Sequence, residues 1–187
     1  MHGFSLVELM IAIAVIGVLA SIAFPSFTGV FNNGRLSGMT NELVASIQIA
    51  RTEAIRRNVR AVICPSANGT TCSGGANWSA GWMVFFDDNR DSAANAGEAV
   101  LRYVQGNAPA QVQTSPAIAG VLVFRPDGRA RVSGAGGALL RGTIAVCLPV
   151  AQPAENIRDV AIAFGSQVTL ARRNGNGACA APADPAP

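Results

Sequence analysis

Gly3-Phe4-Ser5-Leu6-Val7-Glu8-Leu9-Met10 opens a stretch that runs to Gly34 with one formal charge, Glu8. Leu6, Leu9, Met10, Ile11, Ile13, Val15, Ile16, Val18, Leu19, Ile22 and Phe24 all fall within it. A run of about 18 or more apolar residues reads as a membrane-spanning helix, because a backbone can cross hydrocarbon only when its hydrogen bonds close internally. A cleaved secretory signal would instead show a basic segment, an apolar core of about 7–15 residues and a small-residue cut site. No Lys or Arg precedes this run, the run is longer than such a core, and Pro25-Ser26-Phe27 is a poor cut site of that kind. The stretch is therefore expected to be retained as a single-pass anchor.

Beyond the anchor the helical pattern continues. Leu36, Met39, Leu43, Ile47, Ala50 and Ala54 recur at steps of three and four, the spacing of one helix face. Asn41, Arg51, Glu53, Arg56 and Arg57 fall on the other face, with Glu53 placed to pair with Arg57. Phe4 to about Arg57 reads as one helix, on the order of 80 Å long at 1.5 Å per residue. A small domain has no use for so long a rod, so its first half must bury itself in something else.

From Arg60 the texture changes to short β-type runs separated by Gly, Pro, Asn and Asp. The expected strands are Arg60–Cys64, Trp82–Phe86, Ala99–Val104, Val121–Phe124, Arg129–Ser133, Thr143–Leu148, Val160–Phe164 and Val168–Ala171. The fold class is α+β, with the apolar stripe of the second half of the helix packed on an antiparallel, β-rich head. Trp78 and Trp82 bracket a turn leading into a strand, and at least one of them is expected to pack in the core.

The chemistry-bearing residues are few. All fourteen basic residues are arginine, the net charge is +3, and the only histidine is His2. Without lysine, and with His2 ahead of the anchor, no Ser-His, Cys-His or Ser-Lys pair can form in the head, so no enzyme activity is expected. Cys64, Cys72, Cys147 and Cys179 contain no C-x-x-C pair, and no metal or cofactor is expected. In an exported head an even count suggests two disulfides, for which three pairings exist. Nearest-neighbour pairing is favoured because Cys64 and Cys72 flank the turn Pro65-Ser66-Ala67-Asn68-Gly69; a small loop closed so gains about 2–3 kcal/mol. Asp87, Asn89, Asp91 and Glu98 stand at the first, third, fifth and twelfth places of a calcium loop. Ser92 replaces the required glycine and the flanks read as strands, so a solvated hairpin loop is expected instead.

The N-terminus gathers four features. Gly3 before Phe4 places a small residue ahead of a bulky apolar one where a membrane protease can cut. Glu8 inside the apolar run costs about 2.5–3.5 kcal/mol at bilayer centre and so calls for a partner. Cleavage after Gly3 creates one, the α-amine of Phe4 in the same chain or a neighbour. Pro25 lacks the amide proton that would bond the carbonyl four residues back, and is expected to kink or loosen the helix. The motif Gly3-Phe4-Ser5-Leu6-Val7-Glu8-Leu9-Met10 resembles that of the type IV pilin and type II secretion pseudopilin superfamily. The resemblance implies that a prepilin peptidase cuts between Gly3 and Phe4 and N-methylates Phe4. It also implies that Glu8 neutralises a neighbouring N-terminal amine in assembly. Residues Met1-His2-Gly3 depart from family leaders in carrying no Lys or Arg.

The head carries a resemblance too. Asn41-Glu42-Leu43, Ala50-Arg51-Thr52-Glu53-Ala54-Ile55, Val62-Ile63-Cys64-Pro65-Ser66 and Trp78-Ser79-Ala80-Gly81-Trp82-Met83-Val84-Phe85 look like the GspH/FimT minor pilins and pseudopilins. So does Gly97-Glu98-Ala99-Val100-Leu101-Arg102. This resemblance implies a structural subunit of a type IV pilus or type II secretion pseudopilus that initiates or caps fibre assembly, with a β-sandwich-like head. Its partners would be other pilin-like subunits, the inner-membrane assembly platform and the prepilin peptidase. The implied location is the bacterial inner membrane with the head in the periplasm, and then the fibre. The division expected is 1–3 leader, 4–27 transmembrane and assembly helix, 28–58 amphipathic helix, 59–179 β-rich domain and 180–187 disordered tail. Gly128-Arg129-Ala130-Arg131 resembles a G-R-x-R motif that DNA-uptake members of the family use. With Arg172 and Arg173 as a second cluster, the alternative reading is a pilus-tip subunit that binds DNA phosphates weakly and in a salt-sensitive way.

Overall fold

The computed structural model describes residues 5–118, 120–133 and 137–185, except the side chains of residues 22–26 and 164. Helix α1 (Leu6–Arg57) is continuous over 52 residues, so the loosening expected at Pro25 does not break it. Ser5, in an extended conformation, caps its start by accepting from the Glu8 backbone N–H at 3.3 Å. Asn58 ends it in the left-handed region, where a short polar side chain is tolerated, and its N–H donates back to the Ile55 carbonyl.

Among the described residues the strands are β1 (Arg60–Pro65), β2 (Gly81–Asp87), β3 (Val100–Gln105), β4 (Gln111–Thr114), β5 (Leu122–Phe124), β6 (Ala130–Arg131), β7 (Gly142–Cys147), β8 (Ile157–Ile162) and β9 (Val168–Arg173). They form two antiparallel sheets, one ordered β3-β2-β1-β5-β6 and the other β4-β7-β8-β9. The stripe Leu36, Met39, Leu43, Ile47, Ala50 and Ala54 is buried, and it meets Ile63, Trp82, Val84, Leu122 and Phe124 of one sheet and Ile144, Val146, Val160 and Ile162 of the other. Helix and both sheets thus share one core.

Each sheet also has an outer face, and each outer face is covered by a segment held by a disulfide. Val62, Cys64, Met83, Phe85 and Val123 form one cluster, closed over by Cys72 and Ala94. Ala145, Cys147 and Ile157 form the other, closed over by Cys179. The bridges are Cys64–Cys72 and Cys147–Cys179.

Several expectations change. Strand β8 runs Ile157–Ile162 where Val160–Phe164 was expected, because its register on β7 pairs Ile157 with Cys147 and Ile162 with Gly142. Residues 111–114 form a strand absent from the sequence reading, because Gln111-Val112-Gln113-Thr114 has one apolar side chain and owes its conformation to pairing with β7. Residues 180–185, within the tail expected to be disordered, form no helix or strand but make contacts with the head: Pro182 is buried, Arg173 donates to the Ala180 carbonyl, and the Ala117 N–H donates to Asp184 Oδ1 at 3.1 Å. A bridge at Cys179 brings that segment within reach of the sheet, which composition alone does not reveal.

Candidate functional site

The head takes hold of α1 at Asn32 and Asn33. Asn32 Nδ2 donates to the Gln152 carbonyl at 2.9 Å, and Arg158 Nη2 donates to Asn33 Oδ1 at 2.7 Å. On the N-terminal side of that collar the helix is bare. Leu6, Leu9, Met10, Ile13, Ile16, Leu19, Phe27, Val30 and Phe31 are each more than half exposed, from 58% at Phe27 to 74% at Leu6. Apolar surface on that scale marks an interaction face, since monomeric proteins rarely expose a contiguous patch beyond a few hundred Å². No helix formed by the described residues is both long and apolar enough to cross a membrane.

Glu8 is the one ionisable side chain on this bare arm among the described residues, and it lies in the first turn, where a negative charge complements the helix dipole. Ser5-Leu6-Val7-Glu8 also has capping-box spacing, a local signal for the helix start that a reading of Glu8 by charge alone misses. Gly3 and Phe4 lie outside the described residues. Pro25 falls within α1, with its side chain outside them.

The acidic loop after β2 is held together by its own carboxylates. Asp91 Oδ1 accepts from Ala93 N–H, Glu98 accepts from the Asp88 and Asn95 N–H groups, and Asp87 Oδ2 accepts from Ser92 N–H. Asp87 is buried beside Arg60, whose Nε lies 3.4 Å from Asp87 Oδ2. Burial pushes the Asp87 carboxyl above its ordinary value, with Arg60 pulling the other way. Hydrogen bonds from Ala93 and Asn95 hold the Asp91 carboxyl below its ordinary value. These contacts turn the carboxylates toward the loop backbone and Arg60, with no shared centre for a cation among the described groups.

The four arginines considered for DNA do not converge. Ser166 Oγ accepts from the Ala130 N–H at 2.5 Å, which sets the start of β9 near β6. Arg172 and Arg173 lie at the other end of β9, about 13–17 Å along the strand at 3.3 Å per residue. Arg131 pairs with Asp127 at 3.0 Å and Arg173 with Asp159 at 2.8 Å, while Arg172 reaches Glu155 only at 3.7 Å. Arg129 is exposed, and its backbone N–H donates to Asp127. Trp78 and Trp82 are both fully buried, as packing residues should be.

A long helix, half sunk between two antiparallel sheets and half bare and apolar, defines the architecture of a pilin-like subunit. Residues 39–167 match the family described as Type II transport protein GspH, and residues 1–24 match the prokaryotic N-terminal methylation motif. The chain belongs to the GspH family, and its role is that of a minor pilin or pseudopilin, a structural subunit. It is similar in fold to the type IV minor pilin FimU of Pseudomonas aeruginosa strain PAO1. One crystal form shares 20% identity at a TM-score of 0.50, covering 74% of this chain and 90% of that one. A second gives 19% and 0.48, covering 72% and 91%.

Proposed function

We propose that this subunit is cut between Gly3 and Phe4, N-methylated at Phe4 and held in the inner membrane by residues 4–27 with its head in the periplasm. It then enters a fibre by that same helix, at an end of the assembly where it initiates or caps growth. Its partners are other pilin-like subunits, with the prepilin peptidase and the inner-membrane platform acting before them. One observation carries this reading. The half of α1 outside the head is a bare apolar surface whose one charge, Glu8, stands in its first turn. Such a surface has to be covered by lipid before assembly and by other helices after it. In a helical bundle the Phe4 amine, its own or a neighbour's, would compensate the Glu8 charge that is costly in lipid.

Mass spectrometry of the N-terminal peptide from membranes tests the processing step. A mature chain beginning with methylated Phe4 is expected, and Gly3→Glu should block maturation. An intact Met1, or a cut after Ala20 or Ala23, contradicts it.

A further inference from the structure

Arg158 and Arg60 are the two buried arginines among the described residues. Arg60, Arg102, Arg131 and Arg173 each pair with a carboxylate, respectively Asp87, Glu42, Asp127 and Asp159. Arg158 is 7% exposed and forms no ion pair among the described residues. Its donors go to neutral acceptors: the Glu155 carbonyl at 2.6 Å, the Ile157 carbonyl at 3.2 Å and Asn33 Oδ1 at 2.7 Å. Its cross-strand partner in β9 is Arg172, a second cation, whose side chain is 66% exposed and meets Glu155 loosely at 3.7 Å. Burial first, and Arg172 next, press the Arg158 guanidinium below its ordinary pKa, while Glu155 acts in the opposite sense. Between these residues and α1 runs a groove of about 220 Å³, lined by Ser37, Thr40 and Asn41 on the helix and by Arg158, Leu170 and Arg172 on the sheet. Arg158 and Arg172 are among its lining residues and no Asp or Glu is, and Leu170 in that lining is 59% exposed.

We propose that this groove receives an acidic side chain of a neighbouring pilin-like subunit, its carboxylate bound by Arg172 in the field of Arg158 and its apolar stem against Leu170. The proposal rests on the fibre reading above. Burying an anion there supplies the close ion-pair partner that Arg158 lacks, the arrangement in which a buried cation is least costly. A lipid phosphate is a poorer occupant. Ser37 to Asn41 lie about 15–20 Å beyond Phe27 along α1 at 1.5 Å per residue, whereas the headgroup layer is about 5–7 Å deep. Duplex DNA is poorer still, because a recess of this size admits one side chain and Arg173 is turned away to Asp159.

The test is site-specific photo-crosslinking in the full chain, with the reactive group at Ser37 on the groove rim and, in parallel, at Leu19 on the bare helix. The expected Ser37 adduct is with another pilin-like subunit, on a peptide containing Asp or Glu. Arg172→Glu should lower its yield about tenfold or more, as like charges facing across an interface do. Leu19 adducts and both disulfides should be unchanged, and Asp or Glu→Arg on the captured peptide should recover the Ser37 adduct in the Arg172→Glu chain. A Ser37 adduct insensitive to Arg172→Glu, one to lipid or nucleic acid, or none while Leu19 adducts persist overturns the proposal and leaves the fibre reading standing. Loss of adducts at both positions in the unaltered chain overturns both.

Discussion

The indole Nε1 of Trp82 donates to the hydroxyl of Ser46 at 3.0 Å, joining α1 to the central part of the five-stranded sheet inside the core. Both residues are fully buried, and Ser46 donates onward to the Glu42 carbonyl at 2.8 Å. Helix and sheet are thus keyed by a polar contact as well as by apolar packing.

Removing the hydroxyl leaves a buried indole donor without its partner, which costs about 1–3 kcal/mol. Ser46→Ala is therefore expected to destabilise the chain by that amount in denaturant melts of detergent-solubilised protein. In a Trp82→Phe background the same change should cost much less, because no donor is left unmet. Equal costs in the two backgrounds would show that the contact contributes nothing.

The Cys147–Cys179 bridge spans 32 residues and pins the C-terminal segment over Cys147 and Ile157. Chain-entropy arguments assign such a loop about 3–4 kcal/mol, against about 2–3 for a loop the size of Cys64–Cys72. Buried Asn156 reinforces the pin, donating to the Leu148 and Ala178 carbonyls and accepting from the Gly175 N–H. A Cys147→Ala/Cys179→Ala double variant should become sensitive to trypsin at Arg172 and Arg173 under native conditions. Resistance equal to the unaltered chain would mean that Asn156 and the strand pairing suffice alone.

Asp87 supplies a pH dependence of definite sign. Its carboxyl is raised by burial, so the folded state binds the proton more tightly than the unfolded state does. The cost of an ionised Asp87 is then fully present above its folded value. It is relieved as pH falls through that value toward the ordinary carboxylate range. Relative to Asp87→Asn, the unaltered chain should gain stability on acidification through this window. The check is paired melts between about pH 3.5 and 7; a difference that is flat or runs the other way contradicts it.

Much of the fold was legible because two periodicities are written strongly. The stripe from Leu36 to Ala54 repeats at helical spacing, and every member is buried. Strands β1, β2 and β5 of the five-stranded sheet are apolar runs bounded by turn residues. The elements that composition hides depend on partners distant in sequence. Strand β4 has only Val112 to announce it, and its place comes from β7. The C-terminal segment is rich in Ala and Pro and has no large apolar side chain to announce its place, but Cys179, Pro182 and Asp184 fasten it. The N-terminal features were visible as a motif, while the lack of an ion pair at Arg158 was not. That lack follows from the strand register that sets Arg158 opposite Arg172 and from the collar at Asn33. The arginines illustrate the reverse: two clusters were read together as a DNA-binding alternative, and the course of β9 carries Arg172 and Arg173 away from Arg129 and Arg131.

The central claim is that Glu8 serves assembly rather than insertion or helix capping, and substitution at this one position separates the three. Glu8→Leu removes a charge that is unfavourable in lipid, so membrane insertion should be unharmed. Glu8→Gln keeps the capping-box chemistry of the Ser5 N-cap and removes only the charge. In both variants an incoming Phe4 amine meets no carboxylate inside an apolar bundle, a loss of about 3–5 kcal/mol that reduces fibre incorporation about a hundredfold or more. The decisive measurement is fractionation of the unaltered chain, Glu8→Leu and Glu8→Gln into membrane and sheared-fibre pools, with maturation read in each. Both variants are expected to be cut after Gly3, to remain in the membrane and to be missing from fibres. Recovery of either variant in fibres at the level of the unaltered chain would contradict the claim.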